Sequence, residues 1–438
     1  MLRQDDRQEI EPAMQSKSAD RDGRGWRLIK TRDFGLLWWG QVTSQVGEGL
    51  NKMALLWFVY ELTGSAMMLA MVGLIQTIPP LVFGPIIGVY LDRFPKKQVM
   101  VWVDLIRTVL TLLIPALYGL DVLGLQGLFV LIFLTSMVST VFGPALTSAV
   151  PSLVRRSELV SANALIQGTN NIGMLLGPAV SGILIALIGA QHVLFVNSAT
   201  FLISALCLIP IRSNETLGQT QKASTLSGSL LSDLSVGFRF VFRDRSTVFL
   251  LVIISALYNL GASAFVFVLP VYATELLHMG PVQLGWLWSA LGIGMLMASS
   301  WLALNPKNDV QSRMHILVGG TTMGGMAVCT LGLLESPLIA AGLVTLVGAG
   351  AAVLNPVVWA LLQESTPSHL MGRVFTTFST GSMAAAMVGM SGFGWVADAI
   401  GPAASLIGLG LVLLLTAYVA THFARQSPNV QVAAISPG

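Results

Sequence analysis

The chain has 438 residues, 54% of them hydrophobic and only 10% charged, with a net charge of +3. A water-facing surface carries roughly 25% charged residues, so most of this surface faces something apolar and a large soluble protein is excluded. The two cysteines, Cys207 and Cys329, lie in separate apolar runs, which argues against a structural disulfide or a cysteine metal site.

Residues 1–33 are polar and of mixed charge, with no apolar core ahead of a cleavage site, and read as a disordered cytoplasmic tail. Twelve apolar segments follow, near 34–61, 65–91, 98–119, 124–149, 161–188, 192–211, 247–274, 282–304, 314–334, 337–362, 371–397 and 401–424. At about 1.5 Å per residue each is long enough to cross a hydrocarbon core of about 30 Å. The 44 glycines suit helices packed in lipid, where small residues let backbones approach. Between the sixth and seventh segments, residues 212–246 hold a Ser/Thr/Gly-rich linker and then SLLSDLSVGFRFVFRDR. That run reads either as an amphipathic helix on the anionic cytoplasmic leaflet or as a solvated linker helix. Residues 425–438 form a second cytoplasmic tail.

Of the 24 Lys and Arg residues, 22 fall in the tails and in loops on one side, while Lys52 and Arg107 fall inside spans. The opposite side carries Asp121, His192, Glu275, His278, Glu335 and Asp398 and no Lys or Arg. The positive-inside rule then places both termini in the cytoplasm, which requires an even number of spans. The expected fold class is an all-α membrane protein with twelve transmembrane helices in two six-helix halves, 34–211 and 247–424. The halves also look like repeats. GPALTSAVPSLVRRSELV follows the fourth span and NPVVWALLQESTPSHLMGRVF the tenth, and Pro144 and Pro356 hold equivalent places in the two. Parallel six-helix repeats joined by a cytoplasmic linker are a transporter plan, with substrate held at mid-membrane where the halves meet.

At residues 88–97 the chain reads GVYLDRFPKK. This resembles the loop signature of the major facilitator superfamily, between the second and third spans. The resemblance implies a conformational latch at Gly88, Asp92 and Arg93. An acid at a helix end accepts bonds from a neighbouring helix N-terminus, while Arg93, Lys96 and Lys97 hold the loop at the leaflet. In the fifth span GMLLGPAVSG resembles the antiporter motif of the same superfamily. That implies a kinked, thin helix at Gly173, Gly177, Pro178 and Gly182, packing closely across the interface of the halves. GEGLNKMALLWFVYELTGSAMMLAMV, VDLIRT, VRRSELVSANALIQ and SDLSVGFRFVFRD are similar to the macrolide-efflux and siderophore-exporter branch. The superfamily's usual arginine in the fourth span is absent from VLIFLTSMVSTVFG, and Arg107 is positioned to replace it from the next helix.

Ionisable groups inside a span cost about 2.5–3.5 kcal/mol each and are functional candidates. Glu48 lies near the middle of the first span, with Lys52 one turn on and Asn51 on the same face. Two readings fit: a proton-coupling acid whose protonation changes with access, or a structural ion pair with Lys52. Asp104 and Arg107, one turn apart in the third span, read as a structural or gating pair or as a proton relay. Asn163, Gln167, Asn170 and Asn171 make a polar stripe in the fifth span, and Asn197, Tyr258, Asn259 and Asn355 stand singly in others. These groups line a cavity or bond between helices. No Gly-rich loop ends in Lys-Ser/Thr and no His/Cys/Asp cluster has ligand spacing. The expected partners are therefore protons, a small molecule and the lipid bilayer, with no ATP, cofactor, metal or nucleic acid. The resemblance implies export of an amphipathic drug or macrolide-like molecule by proton antiport. Export of a self-made metabolite such as a siderophore, and lipid transport without proton coupling, are the alternatives.

Overall fold

The computed structural model describes residues 24–91, 94–155, 158–212, 246–305, 309–366 and 371–426. Among these residues every regular element is helical. A short helix, Arg24–Ile29, precedes twelve long ones. They are α1 Arg32–Thr63, α2 Ala66–Leu91, α3 Lys96–Gly119, α4 Leu125–Leu153, α5 Leu159–Ile188 and α6 Ala190–Leu208. After the linker come α7 Ser246–Glu275, α8 Pro281–Leu304, α9 Val310–Leu331, α10 Pro337–Ser365, α11 Met371–Ile400 and α12 Pro402–Gln426. The tail before Arg24 and the amphipathic run expected in 212–246 lie outside the described residues.

Eleven of the described helices are long and apolar enough to cross a membrane. Of the twelve long helices the exception is α1, which has the length, at 32 residues, but carries Gln41, Ser44, Glu48 and Lys52 through its middle. Gln41 and Ser44 are buried against protein, so those polar groups do not face the surroundings of the bundle.

The repeat seen in the sequence is carried into the helix boundaries. Leu125–Leu153 recurs as Pro337–Ser365 and Leu159–Ile188 as Met371–Ile400, every boundary shifted by the interval that separates Pro144 from Pro356. The turns repeat too. Gly189 and Gly401 both adopt positive φ, +84° and +109°, and both amides bond back to the last turn of the preceding helix. Only a residue without Cβ enters that left-handed region freely, so glycine ends α5 and α11 and turns the chain straight into the next helix.

The chain divides into two compact units. The first comprises Met1–Asn51, Val82–Gly177 and Gln191–Gln219, the second Lys52–Leu81, Pro178–Ala190 and Thr220–Gly438. The core of the first is built from Phe34 and Leu37 of α1, Met100 and Val103 of α3, Phe142, Leu146 and Val150 of α4, and Leu208 of α6. Helices of the second unit meet at glycines. A side-chain carbon at Gly294 would strike the Thr345 carbonyl, one at Gly348 the Leu291 carbonyl, and one at Gly389 the Leu260 carbonyl. This is packing without a hydrophobic drive, in which close backbone approach supplies dispersion contact.

Candidate functional site

The functional candidates in the first unit converge on the line where α1, α3 and α6 meet. Gly40 and Gly47, two turns apart on α1, let α6 approach closely. A Cβ at Gly40 would press on Cys207 and Ser204, and one at Gly47 would strike Thr200 and Asn197. That contact turns the Gln41–Ser44–Glu48 face of α1 inward, since positions three and four apart share a face. Helix α6 is tied to α3 by Ser198 Oγ, which donates to the Thr108 carbonyl at 2.9 Å. In turn, α3 presents Asp104 and Arg107 from one face.

Arg107 is the centre of the cluster. Its Nη2 is paired with Glu48 Oε1 and its Nη1 lies 3.5 Å from Asp104 Oδ1. The guanidinium carbon sits 3.8 Å from the centroid of the Phe201 ring and 5.9 Å from that of Phe142. A cation over a desolvated ring face gains up to about 2 kcal/mol, so Phe201 fixes the plane of the guanidinium. The two acids are not equivalent. Asp104 is wholly buried, whereas the Glu48 side chain is 39% exposed and Arg107 only 4%. Ser204 adjoins the Asp104 carboxyl, yet neither Asp104 oxygen has a well-formed hydrogen bond. Arg107 Nε, Asn197 Nδ2, Ser204 Oγ and Gln41 Oε1 are likewise buried without one. Native interiors satisfy nearly all such groups, so this concentration marks a place where fold stability is not the only demand. Chemically, one fixed cation stands between an acid open to exchange and an acid sealed from it.

Glu48 does not pair with Lys52 along its own helix. Its partner is Arg107, 59 residues away. The helix–helix contact overrides the i,i+4 spacing, because a guanidinium buried among α1, α3 and α6 would be costly to leave without a carboxylate. The Asp104–Arg107 neighbourhood inferred from spacing is present. Sequence reasoning misses Phe201 and Ser204, although Asn197, Phe201 and Ser204 recur at helical spacing on α6 and that stripe is a legible signal.

Other candidates are dispersed. Gly173 and Gly177 of α5 lie against Gln45 and Gly49 of α1, while Pro178 and Gly182 lie against Gly285 and Pro281 of α8. The antiporter-type stretch therefore serves two contacts, one with α1 and one with α8. Asn170 has a buried, unbonded Oδ1, and Gln167 and Asn355 are exposed. Asn51 is half-buried. Asn259 Nδ2 donates to the Ser255 carbonyl at 2.9 Å, and Ser255 Oγ is 2.9 Å from Ser382 Oγ. Of the loop latch, Asp92 and Arg93 lie outside the described residues, and only the α2 backbone is described at Gly88. Lys96 Nζ donates to the Leu91 carbonyl and Lys97 Nζ to the Ile211 carbonyl, both at 2.6 Å. Cys207 and Cys329 are free thiols.

Long apolar helices in two repeats, with an ion cluster buried in the first, define a multi-pass membrane transporter. The chain belongs to the Major Facilitator Superfamily, whose model matches residues 37–390. It is 27% identical over 398 residues to the multidrug efflux pump Tap of Mycolicibacterium fortuitum, covering 89% of this chain and 95% of that one. It is 25% identical over 378 residues to macrolide efflux protein A of Streptococcus pyogenes, covering 86% and 91%. Among solved structures, a bacterial homologue of the iron transporter ferroportin in an inward-facing state superposes with TM-score 0.69 at 16% identity, covering 90% of this chain and 98% of that chain. The nucleoside transporter NupG gives 0.71 at 13%, covering 89% and 99%. These likenesses speak for the fold. The protein is a multi-pass protein of the plasma membrane.

Proposed function

We propose that this transporter exports an amphipathic small molecule, drug or macrolide-like, driven by proton antiport. The observation that carries the reading is the placement of Arg107 between an exchangeable Glu48 and a sealed Asp104. Similarity over most of the chain to Tap and to macrolide efflux protein A supports the substrate class. In this reading Glu48 is the coupling acid. A proton arriving at Glu48 cancels its charge and its hold on Arg107, and the guanidinium then turns fully to Asp104. Loss of the proton on the other side restores the first pairing. Substrate is attracted to the same carboxylate when it is ionised, so proton and amphipathic cation compete for it. Lys52 lies one turn beyond Glu48 and raises the local positive potential.

The reading takes α1 as the twelfth span and places both termini in the cytoplasm, following the Lys and Arg distribution. It assigns Asn51, Gln167, Asn170, Asn259 and Asn355 to the substrate cavity. Gly88, Asp92, Arg93, Lys96 and Lys97 form the cytoplasmic latch, and residues 34–211 and 247–424 rock about the 212–246 linker. No ATP is consumed.

The test is proton release from purified protein in liposomes holding a pH gradient, as lipophilic drugs and macrolides are added in turn. Compound-dependent proton flux that disappears in Glu48→Gln is the expected result. Flux that persists undiminished in Glu48→Gln removes the coupling role. No flux with any compound, from folded protein, transfers the assignment to a dedicated metabolite or to a lipid.

A further inference from the structure

Two helix pairs join the six-helix halves inside the second unit, and the repeat relates them. Gly182 of α5 lies against Pro281 and Gly285 of α8; its repeat counterpart, Gly394 of α11, lies against Met67 and Ala70 of α2. A turn further along α2, Gly73 lies against Met390 of α11 and Phe267 of α7. Both pairs use small residues for close approach. They differ at the end remote from the basic loops. There, Asp398 of α11 receives the Ala66 amide at 2.6 Å on Oδ1, the Met67 amide at 3.1 Å on Oδ2, and the Ser65 hydroxyl on Oδ2. The position equivalent to Asp398 on α5 is Ala186. At the start of α8 the contact is local, with Gln283 of its own first turn accepting the Gly280 amide.

We infer that Asp398 is a latch, a carboxylate of one half that caps the N-terminus of α2 in the other and holds this end of the α2–α11 pair closed. Helix α2 has a local cap already, because Ser65 Oγ accepts the Met68 amide at 3.2 Å. The two free amides ahead of that bond go to a residue more than 330 positions away, which a helix needing only to be capped would not require. The interaction of a carboxylate with oriented amides and the helix dipole is directional and is lost once the helices part by a few ångströms. No Lys or Arg lies on that face, so the contact has no ion pair to hold it permanently. Asp398 is exposed, so water and salt compete for it and release is reversible. Glu275, at the end of α7, lies within electrostatic range of Asp398 and opposes its charge. The latch thereby sits at the end of α2 opposite the Asp92 signature. The inference rests on the reading that α2 and α11 separate at this end during transport.

The experiment needs neither substrate nor a proton gradient, so its failure and that of the export reading are separate. A cysteine replaces Met390, the α11 residue buried against α2, in a Cys207→Ser background that keeps Cys329 of α9 as an internal reference. Both thiols are followed by mass spectrometry during reaction of the purified protein with a water-soluble maleimide. Asp398→Ala is expected to raise the rate at the reporter roughly fivefold, the size of one carboxylate–helix-terminus interaction, with Cys329 unchanged. Asp398→Asn, which keeps the shape and one acceptor oxygen, is expected to give a smaller rise. It carries the test alone if the alanine variant does not fold. Unchanged reporter rates in the folded variants, or an equal rise at Cys329, overturn the latch and leave Asp398 as an ordinary cap.

Discussion

At the positions that the repeat equates with Glu48, Asp104 and Arg107, the second half holds Leu260, Ile316 and Gly319. Opposite Asn197 and Phe201 it holds Leu409 and Leu413. Among described residues of that half, the buried polar side chains are hydroxyls: Ser255, Thr321, Thr366, Thr377, Ser382, Ser405 and Thr416. Several return a bond to their own helix, as Thr321 does to the Leu317 carbonyl at 2.8 Å and Thr416 to the Val412 carbonyl at 2.9 Å. The same helix register is thus built twice, once around a charged cluster and once, among the described residues, without buried charge. The architecture does not require the cluster. Charges carried by only one copy of a repeat, at several kcal/mol of desolvation each, point to what that copy does.

The largest expected effect comes from breaking the cluster one-sidedly. Arg107→Leu leaves Asp104 buried and uncompensated, and should destabilise the protein by about 3–5 kcal/mol in thermal unfolding of the purified protein. Asp104→Leu with Arg107→Leu should recover most of that stability without recovering transport. A single Arg107→Leu variant as stable as the parent would show that the pair is not buried in the working protein. Next in size, Leu260→Glu imports a carboxylate into the charge-free copy and should cost about 2.5–3.5 kcal/mol, measured the same way. Adding Gly319→Arg, where a side chain meets open space, should return part of the loss if the two copies have equivalent geometry.

Smaller effects test whether the shared register is also shared packing. Gly177 meets the Gly49 backbone, and its repeat counterpart Gly389 meets the Leu260 carbonyl. Gly177→Val and Gly389→Val should each cost about 1–3 kcal/mol, while Gly342→Val, facing open space, should be near neutral. A large difference between the first two would break the equivalence of the α1–α5 and α7–α11 contacts. Tyr272→Phe removes the bond from its hydroxyl to the Leu334 carbonyl at 2.8 Å and should cost about 1 kcal/mol. The smallest change in stability is expected from Lys52→Gln, since Lys52 takes no part in the Glu48–Arg107 pair. In the proton-flux assay it should impair coupling less than Glu48→Gln does.

Much of this is legible in the amino-acid sequence. Hydropathy locates the long helices because a segment in lipid must bond its own backbone internally. Spacing places Asp104 beside Arg107, because a single helical turn decides that. The partner of Glu48 is not legible by the same rule. Lys52 and Arg107 both offer a cation, and the choice depends on which face of α1 meets α6, which Gly40 and Gly47 decide through contact with residues some 150 positions away. In the sequence Asp398 marks one membrane face and nothing more, since a carboxylate at a helix end carries no sign of whose amides it will accept.

The amino-acid sequence by itself determined the helical class, the positions of the long apolar segments, the internal repeat and the loops in which Lys and Arg collect. Each follows from local composition against the bilayer, or from comparing the chain with itself. Tertiary structure alone decided that Arg107 pairs with Glu48, that Phe201 orients it, that the α5 motif divides its contacts between α1 and α8, and that Asp398 caps α2. Those are relations between surfaces distant in sequence, and they are settled by where small residues let two helices come close enough to touch.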